Sequence, residues 1–206
     1  MPAAPTAALT AQGAATRRRI VVATADLMAR HGMARTSLDD VRAATSTSKS
    51  QLYHYFSDKA DLVRAVIEYH RDTVLAEQRL VEEPVDALPA LARWRYRTLA
   101  THRKHGFTRP CPLGRIASEL AGDDAARPVL DAALTAWRDQ LATGLQIMLA
   151  EGRLRADADP VRLATALLGA VQGGLLLASV TRDARPLQAC LDTVIDCITA
   201  LAIPAD

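Results

Sequence analysis

The chain has 206 residues, 50% hydrophobic and 23% charged, with 25 basic and 23 acidic side chains and a formal net charge of +2. That apolar content excludes wholesale disorder, and the charge balance excludes a histone-like polycation. Aromatics are only 4% and alternating Val/Ile/Thr stretches are scarce, so sandwiches and barrels give way to an all-α expectation.

Met1 to Gly13 is rich in Ala, Pro and Thr. It lacks the charged start and long apolar core of a signal peptide, and reads as a disordered arm over 1–14. From Arg17 to His31 the apolar residues recur at i, i+3/i+4 and i+7, which predicts a helix ended by Gly32. Ser37 and Asp40 have the spacing of a capping box and predict a short helix to about Ala44. After a Thr45-Ser46-Thr47 turn, Ser48 and Gln51 form a second box and open a helix through Phe56. Ser57-Asp58 then caps a long helix to about Leu80.

Farther along, Pro84 and Pro89 sit at the start of a helix to about Lys104, and helix signals run from Leu113 to Leu120 and from about Ala125 to Glu151. Asp159-Pro160 opens an apolar helix to about Arg182, and Pro186 opens the last, to about Ile203. The expected architecture is all-α, about nine helices: a three-helix head over 15–60 and a helical body over 61–206. The longest apolar run, Gly173 to Val180, is far too short to span a membrane.

The three cysteines, Cys111, Cys190 and Cys197, form no CxxC and no Cys/His pair at zinc spacing, so no metal and no cofactor are expected. Their odd, sparse count fits a reducing cytoplasm. Cys190 and Cys197 lie two helical turns apart, roughly 10 Å by helix rise, too far to bond within one chain.

The second and third helices with their turn have the size of a helix-turn-helix unit, whose second helix lies in a DNA major groove. That third helix exposes Lys49, Ser50, Gln51, Tyr53 and His54 while Leu52 and Phe56 face inward. Donors and acceptors at a helix start are the types that meet base edges and phosphates. Charge agrees: Thr16 to Lys59 holds eight Arg/Lys against four Asp/Glu, while the remainder holds 17 against 19.

The stretch Ile20 to Val66 resembles the TetR family of bacterial transcription regulators. Ile20, Ala23, Leu27, Gly32, Thr36-Ser37-Leu38, Asp40-Val41, Ser48 to Phe56, Asp58-Lys59, Leu62 and Ala65-Val66 stand where the family has equivalent types. The turn departs from the pattern: small Ala-Gly and then Val are usual where this chain has Thr45-Ser46-Thr47, and Arg42 stands where Ala is usual. Ser46 lacks the freedom of glycine at positive φ, and Thr47 replaces an apolar plug.

The resemblance implies a ligand-responsive repressor, a homodimer on a palindromic double-stranded DNA operator. It implies base or flanking phosphate contacts from Lys49, Ser50, Gln51 and Tyr53, and backbone contacts from Ser37, His54, Tyr55 and Lys59, with Ser48 at the start of the reading helix also among the DNA-binding residues. Arg17 to Arg19 would form an arm. It also implies a small, mostly apolar effector in the body, near Trp94, Cys111, Trp137 and Gln172, with His102, His105, Phe107 and Met148 nearby. The last two helices would pair with their copies, the first through Ala164, Leu167, Leu168, Val171, Leu175 and Ala178, with Gly169, Gly173 and Gly174 allowing close approach.

The Cys-Pro-Leu-Gly segment at 111–114 resembles a subgroup related to LmrA-type multidrug repressors and NemR-type electrophile sensors. In the sensors a Cys at this place is the sensing thiol, and a Cys at a helix start near Arg115 could have a lowered pKa. A packing thiol is the plainer reading. Two other functions fit an all-α chain: an enzyme for a small apolar substrate, for which no nucleophile–base, paired-acid or phosphate-loop signature exists, and a dimeric interaction protein that does not bind DNA.

Overall fold

The computed structural model describes residues 9–204 and is all-helical among them. Nine helices follow in chain order: α1 Ala11–His31, α2 Leu38–Thr45, α3 Lys49–Tyr55, α4 Lys59–Gln78, α5 Leu88–Arg103, α6 Pro112–Leu120, α7 Arg127–Ala150, α8 Pro160–Thr181 and α9 Arg185–Ala200. The only β-type pairing among them is an isolated bridge between Leu154 and Ala202. The chain divides into two compact units, one up to Tyr69 and one from His70 onward. Helix α4 contributes residues to both.

The first helix starts earlier than its apolar stripe suggests. Thr10 caps it by accepting from the Gly13 N–H at 3.2 Å, and the helix begins at Ala11. The expected arm over 1–14 is therefore helical from Ala11, and the rest of that expectation, residues 1–8, lies outside the described residues. A side-chain cap and a run of Ala outweigh the absence of a buried face there. Gly32, at φ 83°, ends the helix in a conformation that side chains rarely adopt.

In the first unit, Ile20, Val21, Leu27 and Met28 of α1, Val41 of α2, Leu52 of α3, Phe56, and Leu62 and Val66 of α4 are all buried. Each such side chain contributes about 1.5–3 kcal/mol of transfer free energy. In the second unit α8 packs against both α7 and α9. Two glycines set the closest approaches: a Cβ on Gly144 would lie 2.7 Å from the Val85 backbone, and one on Gly174 would lie 2.8 Å from Leu187 Cα. The Arg95 guanidinium holds Asp192 with two parallel hydrogen bonds, tying α5 to α9.

The apolar stripe on α8 belongs to this internal packing. Ala164, Leu167, Val171, Leu175 and Ala178 are buried within the chain, so they are not available to a partner. Within the chain Gly174 serves a close approach, while Gly169 and Gly173 meet nothing within 4 Å. What α8 leaves uncovered is its other side, where Leu176, Leu177 and Val180 are 60%, 52% and 75% exposed. By length and composition alone the whole helix, unlike its longest apolar run, would suffice to cross a membrane. Sequence periodicity shows that two faces exist; it does not say which one the chain itself covers.

Candidate functional site

Helices α2 and α3 are each fixed by a complete capping box. Ser37 Oγ accepts from the Asp40 N–H at 3.1 Å, while an Asp40 carboxylate oxygen accepts from the Ser37 N–H at 2.8 Å. The same carboxylate accepts from the Ser37 hydroxyl, and these bonds hold it below the usual aspartate range. Ser48 Oγ likewise accepts from the Gln51 N–H at 3.1 Å, and Gln51 Oε1 accepts from the Ser48 N–H at 3.0 Å.

These boxes decide what each side chain has left to offer. One lone pair of the Gln51 oxygen is engaged in its own helix, which leaves its Nε2 amide as the freer group. Paired reading of an adenine edge needs both atoms. Ser37 and Ser48 are engaged as caps in the same way. Lys49, Ser50, Tyr53 and His54 are exposed along α3, with Tyr53 at 48%. The rings of His54 and half-buried Tyr55 meet edge to face at 4.9 Å.

The turn between α2 and α3 accounts for its unusual residues. Ser46 sits in the left-handed region at φ 51°, ψ 37°, where a non-glycine residue is uncommon. Thr45 and Thr47 are buried with their hydroxyls 2.7 Å apart, and the Thr45 hydroxyl donates to the Val41 carbonyl. A hydrogen-bonded threonine pair thus occupies the place of an apolar plug. Arg42 pairs with Asp39 at 2.7 Å, and both line an open depression with Ala43, Ser46, Thr47 and Ser48.

Three cations expected at a DNA surface have internal duties. Arg19 Nη1 donates to the Thr45 carbonyl at 2.8 Å, satisfying the end of α2. The Arg17 guanidinium lies over the Phe56 ring, 5.2 Å from its centroid. Lys59, half-buried, donates to the Met33 carbonyl at 3.1 Å. No sequence signal separates an arginine that reaches out from one that caps a helix 26 residues away.

In the second unit, Trp94, Cys111 and Trp137 are buried and Gln172 is half-buried. Two of the four meet: Gln172 Nε2 donates to Cys111 Sγ at 3.4 Å. Gly114 leaves room for this side chain, since a Cβ there would push Gln172 Oε1 aside. Trp94 instead donates its indole N–H to Gln78 Oε1 at 2.7 Å, a partner on α4 that sequence reading missed. The Trp137 indole N–H is buried without a hydrogen-bond partner. Phe107 and Met148 are buried, while His105 is exposed.

Burial pushes the Cys111 thiol up, against smaller opposing effects of hydrogen bonds from Gly114, Gln172 and Leu113. That direction is opposite to the one the sensing alternative requires, because desolvation of the thiolate outweighs the N–H groups of the helix start. His102 is held below the usual histidine range by burial and then by the nearby His105.

The profile for bacterial regulatory proteins of the tetR family matches residues 20–66, and that for the tetracyclin repressor-like C-terminal domain matches residues 87–194. This chain belongs to the TetR family. It is a DNA-binding transcriptional regulator with the helix-turn-helix in α2–α3. The transcriptional regulator AcuR of Cereibacter sphaeroides is 33% identical over 76% of this chain and 73% of its own. An HTH-type regulator from the lacX 3' region of Lactococcus lactis is 29% identical over 86% and 90%. A TetR transcriptional regulator from Chloroflexus aurantiacus superposes with a TM-score of 0.76 at 25% identity, covering 95% of this chain and all of that one. Reduced NemR of Escherichia coli shares the fold at a TM-score of 0.73 and 21% identity, over 93% and 100%. Within this TetR-family regulator, the matched segment 20–66 contains both capping boxes and the buried Thr45–Thr47 pair.

Proposed function

We propose that this regulator is a repressor that binds a palindromic operator as a homodimer and is released by a small, mostly apolar effector held in its body. The head over 15–60 reads DNA, and the body over 61–206 binds ligand and partner. Its work is regulation rather than catalysis, in the cytoplasm. The observation that carries this reading is the exposed face of α3, where Lys49, Ser50, Tyr53 and His54 project from a helix pinned at both ends. Gln51 adds its Nε2 amide, Tyr55 and Lys59 flank the backbone, and Ser37 and Ser48 hold the helix starts.

The uncovered side of α8 supports a two-fold partner. Leu176, Leu177 and Val180 form an apolar surface on a helix whose opposite side is already buried. A second copy is the occupant that also gives two heads for two half-sites. The resemblance to the LmrA- and NemR-related subgroup rests on the Cys-Pro-Leu-Gly segment. The raised thiol of Cys111 and its Gln172 bond favour packing over sensing, and so favour a non-covalent ligand.

Release is a linkage. A ligand shifts the dimer only by its preference for the arrangement that misfits DNA. A 100-fold preference corresponds to about 2.7 kcal/mol per site. The test is a gel shift of the full-length protein against the DNA flanking its own gene, at several salt concentrations. A retarded complex that outcompetes scrambled duplex is expected. Equal binding to both duplexes, or none, would overturn the reading.

A further inference from the structure

Buried polar atoms without a hydrogen-bond partner are few in folded proteins, and each calls for an explanation. Among the described residues, six side-chain atoms are in this state: Nε of Arg42, Arg97 and Arg153, and Thr98 Oγ1, Trp137 Nε1 and Gln140 Oε1. The three arginines explain themselves, since each guanidinium is anchored through another nitrogen, to Asp39, Glu83 and Glu151 respectively. The other three have no such anchor. All lie in the body, and the head has none of this kind.

Their placement is orderly. Trp137 and Gln140 are three residues apart on α7, so they share one face of that helix. One offers an N–H donor and the other a carbonyl acceptor, and they do not satisfy each other. Thr98 lies on the buried stripe of α5 that also carries Trp94. Trp137 and Thr98 are each only 2% exposed. The contrast between the two tryptophans is telling: Trp94 has its acceptor supplied by Gln78, and Trp137 has none supplied by the chain.

We infer that the effector carries a carbonyl oxygen on its apolar body, and that this oxygen accepts the hydrogen bond of the Trp137 indole N–H. This rests on the effector reading above and narrows it from any small apolar molecule to carbonyl compounds. An unpaired buried donor is destabilised relative to a paired one, so a ligand that completes it is favoured over its hydrocarbon isostere by about tenfold or more. Gln140 Oε1 supplies an acceptor on the same face, which suits a carbonyl compound with an adjacent O–H or N–H.

The test uses full-length protein labelled with 15N at tryptophan, which gives two indole N–H resonances. Trp137→Phe assigns them by deleting one. The probes are shape-matched pairs of a carbonyl compound and its hydrocarbon, such as acetophenone with ethylbenzene, extended across aliphatic and aromatic ketones, aldehydes and amides. The expected result is a downfield shift of the Trp137 indole proton with carbonyl members only. The Trp94 proton, already paired, stays in place. DNA release should favour the carbonyl member about tenfold, and Trp137→Phe should erase that preference. Equal release by both members of each pair, or release without movement of the Trp137 resonance, overturns the inference and leaves the effector reading standing. If no member of either series releases DNA or moves any resonance, both fail. The resonance test in the unsubstituted protein holds even if Trp137→Phe folds poorly.

Discussion

The two units treat their polar groups in opposite ways. In the head, caps, turn hydroxyls and cations are paired within the unit, down to Arg19 on the Thr45 carbonyl and Lys59 on the Met33 carbonyl. In the body, Thr98, Trp137 and Gln140 bury polar atoms that the chain leaves unpaired. A reader of DNA must present its α3 face at a fixed angle, so local pairing serves rigidity. A binder of small molecules must keep hydrogen-bonding capacity for something that is not always there. Unpaired buried groups cost stability until something pairs them.

That contrast can be broken most forcefully in the head. Phe56→Ala should cost about 3–5 kcal/mol, because it empties a buried site and removes the ring under Arg17. Thermal unfolding of the full chain would show it, together with loss of operator binding. A loss below about 1 kcal/mol would mean the head is not the rigid unit described.

The body gives a sharper contrast through one substitution made twice. Trp94→Phe strips the partner from buried Gln78 and should cost about 1–3 kcal/mol. Trp137→Phe removes a donor that has no partner and should cost clearly less. Denaturant midpoints of the two variants compare them directly, and equal losses would contradict the pairing difference.

Smaller effects separate capping from reading. Ser48→Ala should cost about 1 kcal/mol as the loss of an N-cap. Gln51→Glu retains the capping box, since Glu is the usual residue at that position, and should leave stability within about 0.5 kcal/mol. It should nevertheless weaken operator binding, because the Nε2 donor is gone and a carboxylate faces phosphate. Unchanged affinity in the Gln51→Glu protein would remove Gln51 from the reading face.

The smallest effect is on pH. His102 is held below the usual histidine range, so the folded body keeps it neutral where the unfolded chain takes up a proton. Its contribution to stability is present above the ordinary histidine pKa and is lost as pH falls through that value toward the folded one. Melting curves between neutral and mildly acid pH should show a decline that His102→Asn flattens. A decline of the same slope in the variant would assign it elsewhere.

Most of the head was legible because its signals are local. Ser37 with Asp40 and Ser48 with Gln51 are three residues apart, and their bonds follow from spacing alone. The nine helices were legible for the same reason, through Pro, Gly and apolar periodicity. Arg19 with Thr45 and Lys59 with Met33 each join residues 26 apart, and nothing local announces them. The same holds for Trp94 with Gln78 and Arg95 with Asp192. The wrong side of α8 was favoured as a partner surface because both sides are apolar, and only the fold shows which one α7 and α9 cover. For Cys111 the sequence leaves a packing thiol, the plainer reading, beside a sensing one, and its burial weighs against the lowered pKa that sensing requires.

On the proposal that α3 reads DNA, its exposed side chains are ones that the head does not need for its own stability. Tyr53→Ala tests it most directly, through paired measurement of melting temperature and of anisotropy titrations on operator and scrambled duplexes. The expected result is a melting temperature close to that of the unsubstituted protein, at least a tenfold loss of operator affinity, and little change on scrambled DNA. Unchanged operator affinity, or an equal loss on both duplexes, would contradict it.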